Sequence, residues 1–194
     1  LPADEELWKA AEEILGDRNS DEHEQREVVQ SMAMAKVIAV ESGGVGERIC
    51  VDLTERLSDG EGMLIGSSAN ALALIHGETI PSEFVPSRPF RVNAGAVHAY
   101  CLMSDGSTKY LSELSAGDQV AIANVSGESR SATIGRLKIE RRPFLLVRFC
   151  GKNQSGQVLV QHAETVRFIG EEGNISVTSI QDGDKITVRL SSGM

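Results

Sequence analysis

The chain has 194 residues and a mass of 20.8 kDa, which is long enough for one sizeable core or two small lobes. Hydrophobic residues make up 41% and charged residues 24%, as is typical of a soluble globular protein, and a net charge of -9 leaves no cationic surplus for a nucleic-acid backbone. No apolar run reaches the length of a membrane span, and no secretory signal opens the chain.

Residues 1–30 form the first predicted region. Leu7, Trp8 and Ile14 lie at helical spacing within residues 3–15, and acidic residues stand where the N-terminus of a helix favours negative charge. The polar residues 17–27 that follow predict a linker or a solvated helix. We expect the helix to offer a docking surface for a protein partner or a larger assembly. Residues 31–194 form the second predicted region.

The second region carries a β-type pattern. Short apolar runs alternate with Gly, Asp, Ser and Asn turns about every eight to twelve residues, which favours a barrel or a sandwich. The predicted fold is therefore mainly β, with one or two small barrel-like units. The candidate strands are 48–53, 62–66, 71–77, 90–94, 97–103, 119–124, 131–139, 144–150, 157–161, 165–169 and 185–190.

One weak internal repeat is visible. L-S-A-G-D-Q-V-A-I at 114–122 is similar to I-Q-D-G-D-K-I-T-V at 180–188, and both are turns that lead into an alternating strand. Two related small barrels in tandem would explain the repeat. The other explanation is that Gly-Asp turns are common.

Cysteine usage points to a reducing compartment. Cys50, Cys101 and Cys150 are odd in number, far apart and each surrounded by apolar, strand-like sequence. Buried free thiols explain this pattern better than a disulfide does, and they fit the cytoplasm or a plastid.

The densest group of functional side chains lies between residues 87 and 114. Arg88 and Arg91 precede a predicted tight bend or bulge at 93–95, where Asn and Gly allow backbone N–H groups to be exposed. This arrangement predicts that Arg88, Arg91 and Asn93 bind a carboxylate or a phosphate. An alternative of equal weight is that the arginines are surface strand residues with carboxylate neighbours.

Two His-x-Glu pairs suggest a divalent-metal site. His76 with Glu78, and His162 with Glu164, would each place both side chains on one face of a strand. Asp52 would be a further oxygen ligand. Strand spacing is weak evidence, so a metal is only one alternative.

A charged ladder is predicted on residues 136–140. Arg136, Lys138 and Glu140 alternate with Leu137 and Ile139, which places the three charged side chains on one face. Solvated cross-strand pairs explain such a ladder, although in a cleft it would receive an anion. No G-x-G-x-x-G opens a helix after a strand, so any dinucleotide site here is not of the Rossmann type or lies on other sequence.

Several motifs together resemble the 3-dehydroquinate synthase II family. They cover the chain from Met34 to its C-terminus, in order and with matching spacing. They read R-I-C-V-D-L (48–53), G-E-G-M-L-I-G-S (60–67), R-P-F-R-V-N-A-G-A-V-H-A-Y (88–100), T-K-Y-L-S-E-L-S-A-G-D-Q-V (108–120), I-G-R-L-K-I-E-R-R-P-F (134–144) and Q-H-A-E-T-V-R (161–167).

The resemblance implies an enzyme of aromatic amino-acid biosynthesis. Members of this family use NAD to oxidise the amine of 2-amino-3,7-dideoxy-D-threo-hept-6-ulosonate, release ammonia and close the ring by an aldol step. Such chemistry needs a cationic clamp for the carboxylate, a proton-transfer group and a donor for the developing alkoxide. On this hypothesis His98 transfers protons, Lys109 stabilises an oxyanion or forms an imine, and Glu164 orients a partner.

Two other functions remain as alternatives. One is a sister enzyme similar to 3-amino-4-hydroxybenzoate synthase, which uses a divalent metal without net oxidation by NAD. The other is a non-catalytic member of the family that acts as a binding or structural subunit.

Overall fold

The computed structural model describes residues 30–191, so the predicted helix at 3–15 lies outside the described residues. Within this part no helix is long and apolar enough to cross a membrane. It contains one 3-10 turn, Leu111–Glu113, and twelve strands. The strands are β1 Met32–Leu53, β2 Gly62–Ser68, β3 Ala71–His76, β4 Arg91–Ala96, β5 Tyr100–Leu102, β6 Thr108–Tyr110, β7 Gln119–Ala123, β8 Ser129–Cys150, β9 Ser155–Gln161, β10 Arg167–Ile169, β11 Asn174–Ser176 and β12 Lys185–Leu190.

Two strands of 22 residues, β1 and β8, form the backbone of the fold. They pair antiparallel, with the register running from Lys36 opposite Cys150 to Leu53 opposite Ile134. The prediction of two separate strands at 131–139 and 144–150 is wrong, because β8 continues through Pro143. The proline lies opposite Val45, where the register of β1 shifts, so its missing N–H is tolerated at that irregular point.

The sheet closes on itself. β1 pairs with β8, β8 with β7, β7 with β2, β2 with β3, β3 with β12, and β12 again with β1, every pair being antiparallel. Closure removes the free edges of these six strands. The predicted mainly-β class is confirmed, and all twelve strands belong to one sheet instead of two separate barrels.

The pairing pattern shows an internal two-fold relation. β12 pairs with the first residues of β1 and β7 pairs with the first residues of β8. In the same way β4 pairs with the last part of β1 and β9 with the last part of β8. The sequence repeat at 114–122 and 180–188 therefore leads into equivalent strands, β7 and β12, of two interleaved halves.

An aliphatic core fills the interior, as the low aromatic content requires. Val37, Val51, Ile65 and Val188 are fully buried there, with Phe149 and Phe168 among the largest side chains. Cys50 and Cys101 are buried free thiols, as predicted, and Cys150 is half-buried and free. Burial raises the pKa of the Cys101 thiol to about 12.

Candidate functional site: an arginine cluster on strands β1, β4 and β8

The polar side chains concentrate on the outer face of β1, between β4 and β8. Ile49, Val51 and Leu53 of β1 enter the core, so the alternate residues Arg48 and Asp52 point the other way. We call the group on this face the arginine cluster. Its members are Arg48, Cys50, Asp52, Glu78, Arg88, Arg91, Asn93, Arg136, Lys138, Glu140 and Arg142.

Asp52 holds two arginines. Nε and Nη2 of Arg91 donate to its two carboxylate oxygens at 2.6 and 2.9 Å, and Nε and Nη2 of Arg136 donate to Oδ2 at 2.9 and 2.6 Å. Burial alone would raise the pKa of Asp52, but the hydrogen bonds from Arg91 and Arg136 outweigh burial and lower it. The hydrogen bonds to Asp52 in turn raise the pKa of Arg91. Asp52 is therefore ionised and fixes the planes of both guanidinium groups.

Arg48 makes the second ionic contact. Its Nη2 donates to Oε2 of Glu140 at 2.6 Å and its Nη1 donates to the sulfur of Cys50. Glu140 also accepts from Arg142 at 3.0 Å and pairs with Lys138 at 3.3 Å. Three cationic side chains thus converge on one carboxylate.

Two buried polar atoms of the cluster have no hydrogen-bond partner, Nε of Arg48 and Oδ1 of Asn93. Arg48 is 5% exposed and Asn93 is 3% exposed. Asn93 lies opposite Cys50 in the β1–β4 ladder and uses its amide nitrogen to donate to Gln161 on β9 at 2.8 Å. The cluster therefore has one unpaired donor, on Arg48 two residues before Cys50, and one unpaired acceptor, on Asn93 opposite Cys50. An amino or hydroxy acid requires this combination of groups.

The predicted substrate-binding residues differ in their ionic partners and their burial within this cluster. Arg88 donates to Glu78 at 3.3 Å across an isolated bridge between the two residues. Arg91 is 8% exposed and is committed to Asp52. Arg88, Arg91 and Asn93 are thus brought together, and both arginines have the carboxylate neighbours that the alternative interpretation expected.

The other predicted catalytic residues lie outside the cluster. His98 is exposed and follows the end of β4 by two residues. Lys109 is on β6 and pairs with Asp118 at 3.2 Å. Glu164 is exposed in the turn after β9, where its carbonyl accepts from the hydroxyl of Ser176. The structure does not join these three residues into one constellation, so their catalytic roles stay predictions.

The residues of the metal hypothesis are also separated. Nε2 of His76 accepts from the N–H of Gly60 at 2.9 Å and lies 3.0 Å from the carboxylate of Asp59. Glu78 pairs with Arg88, and His162 is exposed. Among residues 30–191 no group of three or more His, Cys, Asp or Glu side chains could hold a metal ion. The set His76, Glu78 and His162 is therefore not assembled as a ligand group.

Sequence reasoning missed the central members of the cluster. Arg48 and Cys50 carried a usable signal, because polar residues alternate with apolar ones in R-I-C-V-D-L. The ladder of Arg136, Lys138 and Glu140 was predicted, either as solvated cross-strand pairs or as an anion receiver in a cleft, and its two cationic side chains are exposed. Its contacts with β1 depend on the β1–β8 register, which a local pattern does not give.

The described residues do not fit a dinucleotide of the Rossmann type. They form no α-helix, so they provide no helix N-terminus for a pyrophosphate. The residue types of the cluster, arginines and an amide, suit a carboxylate or another small oxyanion.

Fold and site together define a closed β domain with an arginine-rich polar face on β1, β4 and β8. A family model described as the 3-dehydroquinate synthase II C-terminal domain matches residues 34–194, so the chain belongs to this family. Proteins named 3-dehydroquinate synthase from Methanosphaera stadtmanae and Nitrosopumilus maritimus are each 49% identical over 158 residues, which is 81% of this chain and 44% and 45% of theirs.

The relative from Methanocaldococcus jannaschii, named in the same way, is 47% identical over 160 residues, which is 82% of this chain and 44% of its own. The chain thus spans somewhat less than half the length of these relatives. All three are archaeal, which gives no support to the plastid expectation. No solved structure matches the fold.

Proposed function

We propose that this chain is the substrate-carboxylate-binding part of a 3-dehydroquinate synthase II-type enzyme. The whole enzyme would convert 2-amino-3,7-dideoxy-D-threo-hept-6-ulosonate into 3-dehydroquinate. NAD would supply a hydride acceptor for oxidation of the amine, and ammonia would be released before the aldol closure. Family membership and the relatives' names support the reaction class.

The charges and unpaired atoms of the arginine cluster support a substrate-binding role for this domain. The arginine cluster gathers six cationic side chains against three carboxylates within an otherwise acidic chain, and it leaves a donor on Arg48 and an acceptor on Asn93 without partners. The proposed substrate is a 2-amino acid, so its carboxylate accepts and its amine donates. The two unpaired atoms are complementary to that pair of groups.

The test is a binding and turnover experiment on the purified chain. Isothermal titration with the amino-keto acid measures binding, while NADH absorbance and 3-dehydroquinate formation measure turnover. Binding with turnover would assign the reaction to the chain. Binding without turnover would assign it substrate recognition and place the chemistry on sequence that the longer relatives have. Lack of binding by the folded chain would contradict the proposal.

A further inference from the structure

The three nitrogens of the Arg48 guanidinium are in unequal situations. Nη1 donates to Cys50 and Nη2 to Glu140, whereas Nε is buried without a partner. An N–H of a charged group that is buried and unpaired is costly, and it calls for an acceptor at that position.

Arg91 shows a guanidinium edge with both nitrogens paired in the same cluster. Its Nε and Nη2 lie on one edge of the plane and receive the two oxygens of Asp52, one each. The corresponding edge of Arg48 has an oxygen of Glu140 at Nη2 and nothing at Nε. The edge that matches a carboxylate is therefore only half used.

Glu140 can leave this edge and still keep cationic partners. Its Oε2 also accepts from Arg142 at 3.0 Å, and its Oε1 lies 3.3 Å from Nζ of Lys138. The Glu140 side chain is 28% exposed, whereas that of Arg48 is 6% exposed. A carboxylate that takes the Arg48 edge leaves Glu140 with two cationic partners, so the exchange costs little charge pairing.

We propose that the Nε–Nη2 edge of Arg48 binds the carboxylate of the ligand and that Glu140 is an internal competitor which the ligand displaces. Oδ1 of Asn93, which lies opposite Cys50 on β4, accepts from the amine or hydroxyl next to that carboxylate. The identity of the ligand as the amino-keto acid rests on the proposed function. The roles of Arg48 and Glu140 rest on the geometry alone.

Titration of the purified chain with the amino-keto acid tests the exchange. Glu140→Gln removes the competing charge and keeps the shape, so the dissociation constant should fall about two- to fivefold, as expected for loss of one partly exposed ionic competitor. Arg48→Lys keeps the charge but not the two-nitrogen edge, so binding should weaken about tenfold or more. Circular dichroism and thermal melting establish that each variant is folded.

Glu41→Gln is the matched control. Glu41 is also a carboxylate on the β1–β8 pair and contacts Arg148 at 3.5 Å, but it is outside the arginine cluster. It should leave the dissociation constant unchanged. Unchanged or weaker binding by Glu140→Gln would make Glu140 a positioning residue and would overturn the proposal, even if Arg48→Lys failed to fold.

Inorganic phosphate as a second probe separates this proposal from the proposed function. One outcome is that phosphate binds more tightly to Glu140→Gln than to the parent and does not bind to Arg48→Lys, while the amino-keto acid binds to none of the three proteins. The Arg48 site then stands and the enzyme assignment fails. If the amino-keto acid binds to the parent and Glu140→Gln changes neither ligand's affinity, the enzyme assignment stands and the Glu140 exchange fails.

Discussion

At the scale of single residues, Asp52 is the member of the cluster whose loss should cost most stability. It is 4% exposed and neutralises Arg91, which is 8% exposed. Asp52→Asn would leave that guanidinium buried without a counter-charge, so we expect the free energy of unfolding to fall by about 3 kcal/mol. Urea denaturation measures the change.

A surface ion pair is the comparison for Asp52. Glu171 contacts Lys185 at 2.7 Å, and both side chains are more than half exposed. Glu171→Gln should therefore change the free energy of unfolding by less than about 0.5 kcal/mol. Similar losses in the two variants would show that Asp52 is not the organising carboxylate of the cluster.

His76 gives a pH dependence of stability. Burial lowers the pKa of its imidazole, and the nearby Asp59 only partly opposes this effect. Below the usual histidine value, about 6.5, the unfolded chain gains a proton that the folded chain does not, so stability should decrease as the pH falls from 7 towards 5. The contribution of one such proton is at most about 1.4 kcal/mol per pH unit.

His76→Gln isolates that contribution. The glutamine cannot titrate, and its side-chain oxygen can replace Nε2 as the acceptor for the N–H of Gly60. Denaturant midpoints at pH 5, 6 and 7 should fall less steeply with acidification than those of the parent. Equal slopes in both proteins would mean that the pKa of His76 is the same in the folded and unfolded chains.

Local sequence predicts the neighbours of a site residue along the chain, but not its partners on distant strands. Arg88, Arg91 and Asn93 were predicted to lie together because they are close in the chain. Their ionic partner Asp52 is 39 positions from Arg91, and only the β1–β4 register joins the two. A register between distant strands is set by the packing of the whole sheet, so no short pattern predicts it.

At the scale of elements, apolar alternation predicted most of the strands, but it did not predict the lengths of β1 and β8. Glycine and arginine pairs within these strands look like breaks, yet the β1–β8 ladder continues across them with shifts of register. The three-residue strands β6 and β11 were missed, because so short a run has no readable period.

In the β2–β3 hairpin, the paired backbone leaves no room for a side chain at Gly62. A Cβ there would lie 1.9 Å from the carbonyl oxygen of Ile75, in the backbone of the paired strand. Gly62→Ala should therefore lower the free energy of unfolding by at least about 2 kcal/mol, measured in urea. At Gly135 the nearest atom is the side-chain methyl of Thr54 at 3.3 Å, which can move, so Gly135→Ala should cost clearly less. Equal costs would contradict the close approach at Gly62.

At the scale of the whole molecule, the two related halves are interleaved. Among themselves the strands β8 to β12 form two ladders, β8 with β9 and β10 with β11, and one isolated bridge joins Gly170 to Ile186 of β12. Their other pairings reach the first half, through β1, β3 and β7. The sequence repeat indicated two halves, but it could not indicate that each completes the other's sheet.

This topology predicts that the halves cannot fold separately. Cleaving the chain between Ser126 and Gly127, in the turn from β7 to β8, gives fragments 1–126 and 127–194. Two isolated hairpins are at most marginally stable in water, so the second fragment alone should show no cooperative unfolding transition by circular dichroism. Mixing equimolar fragments should restore the β spectrum and one cooperative transition, since the long β1–β8 ladder forms only between them. A cooperative transition in fragment 127–194 alone would show that the halves are independent units, and the arginine cluster, which needs β1, β4 and β8 together, would then have to assemble after folding.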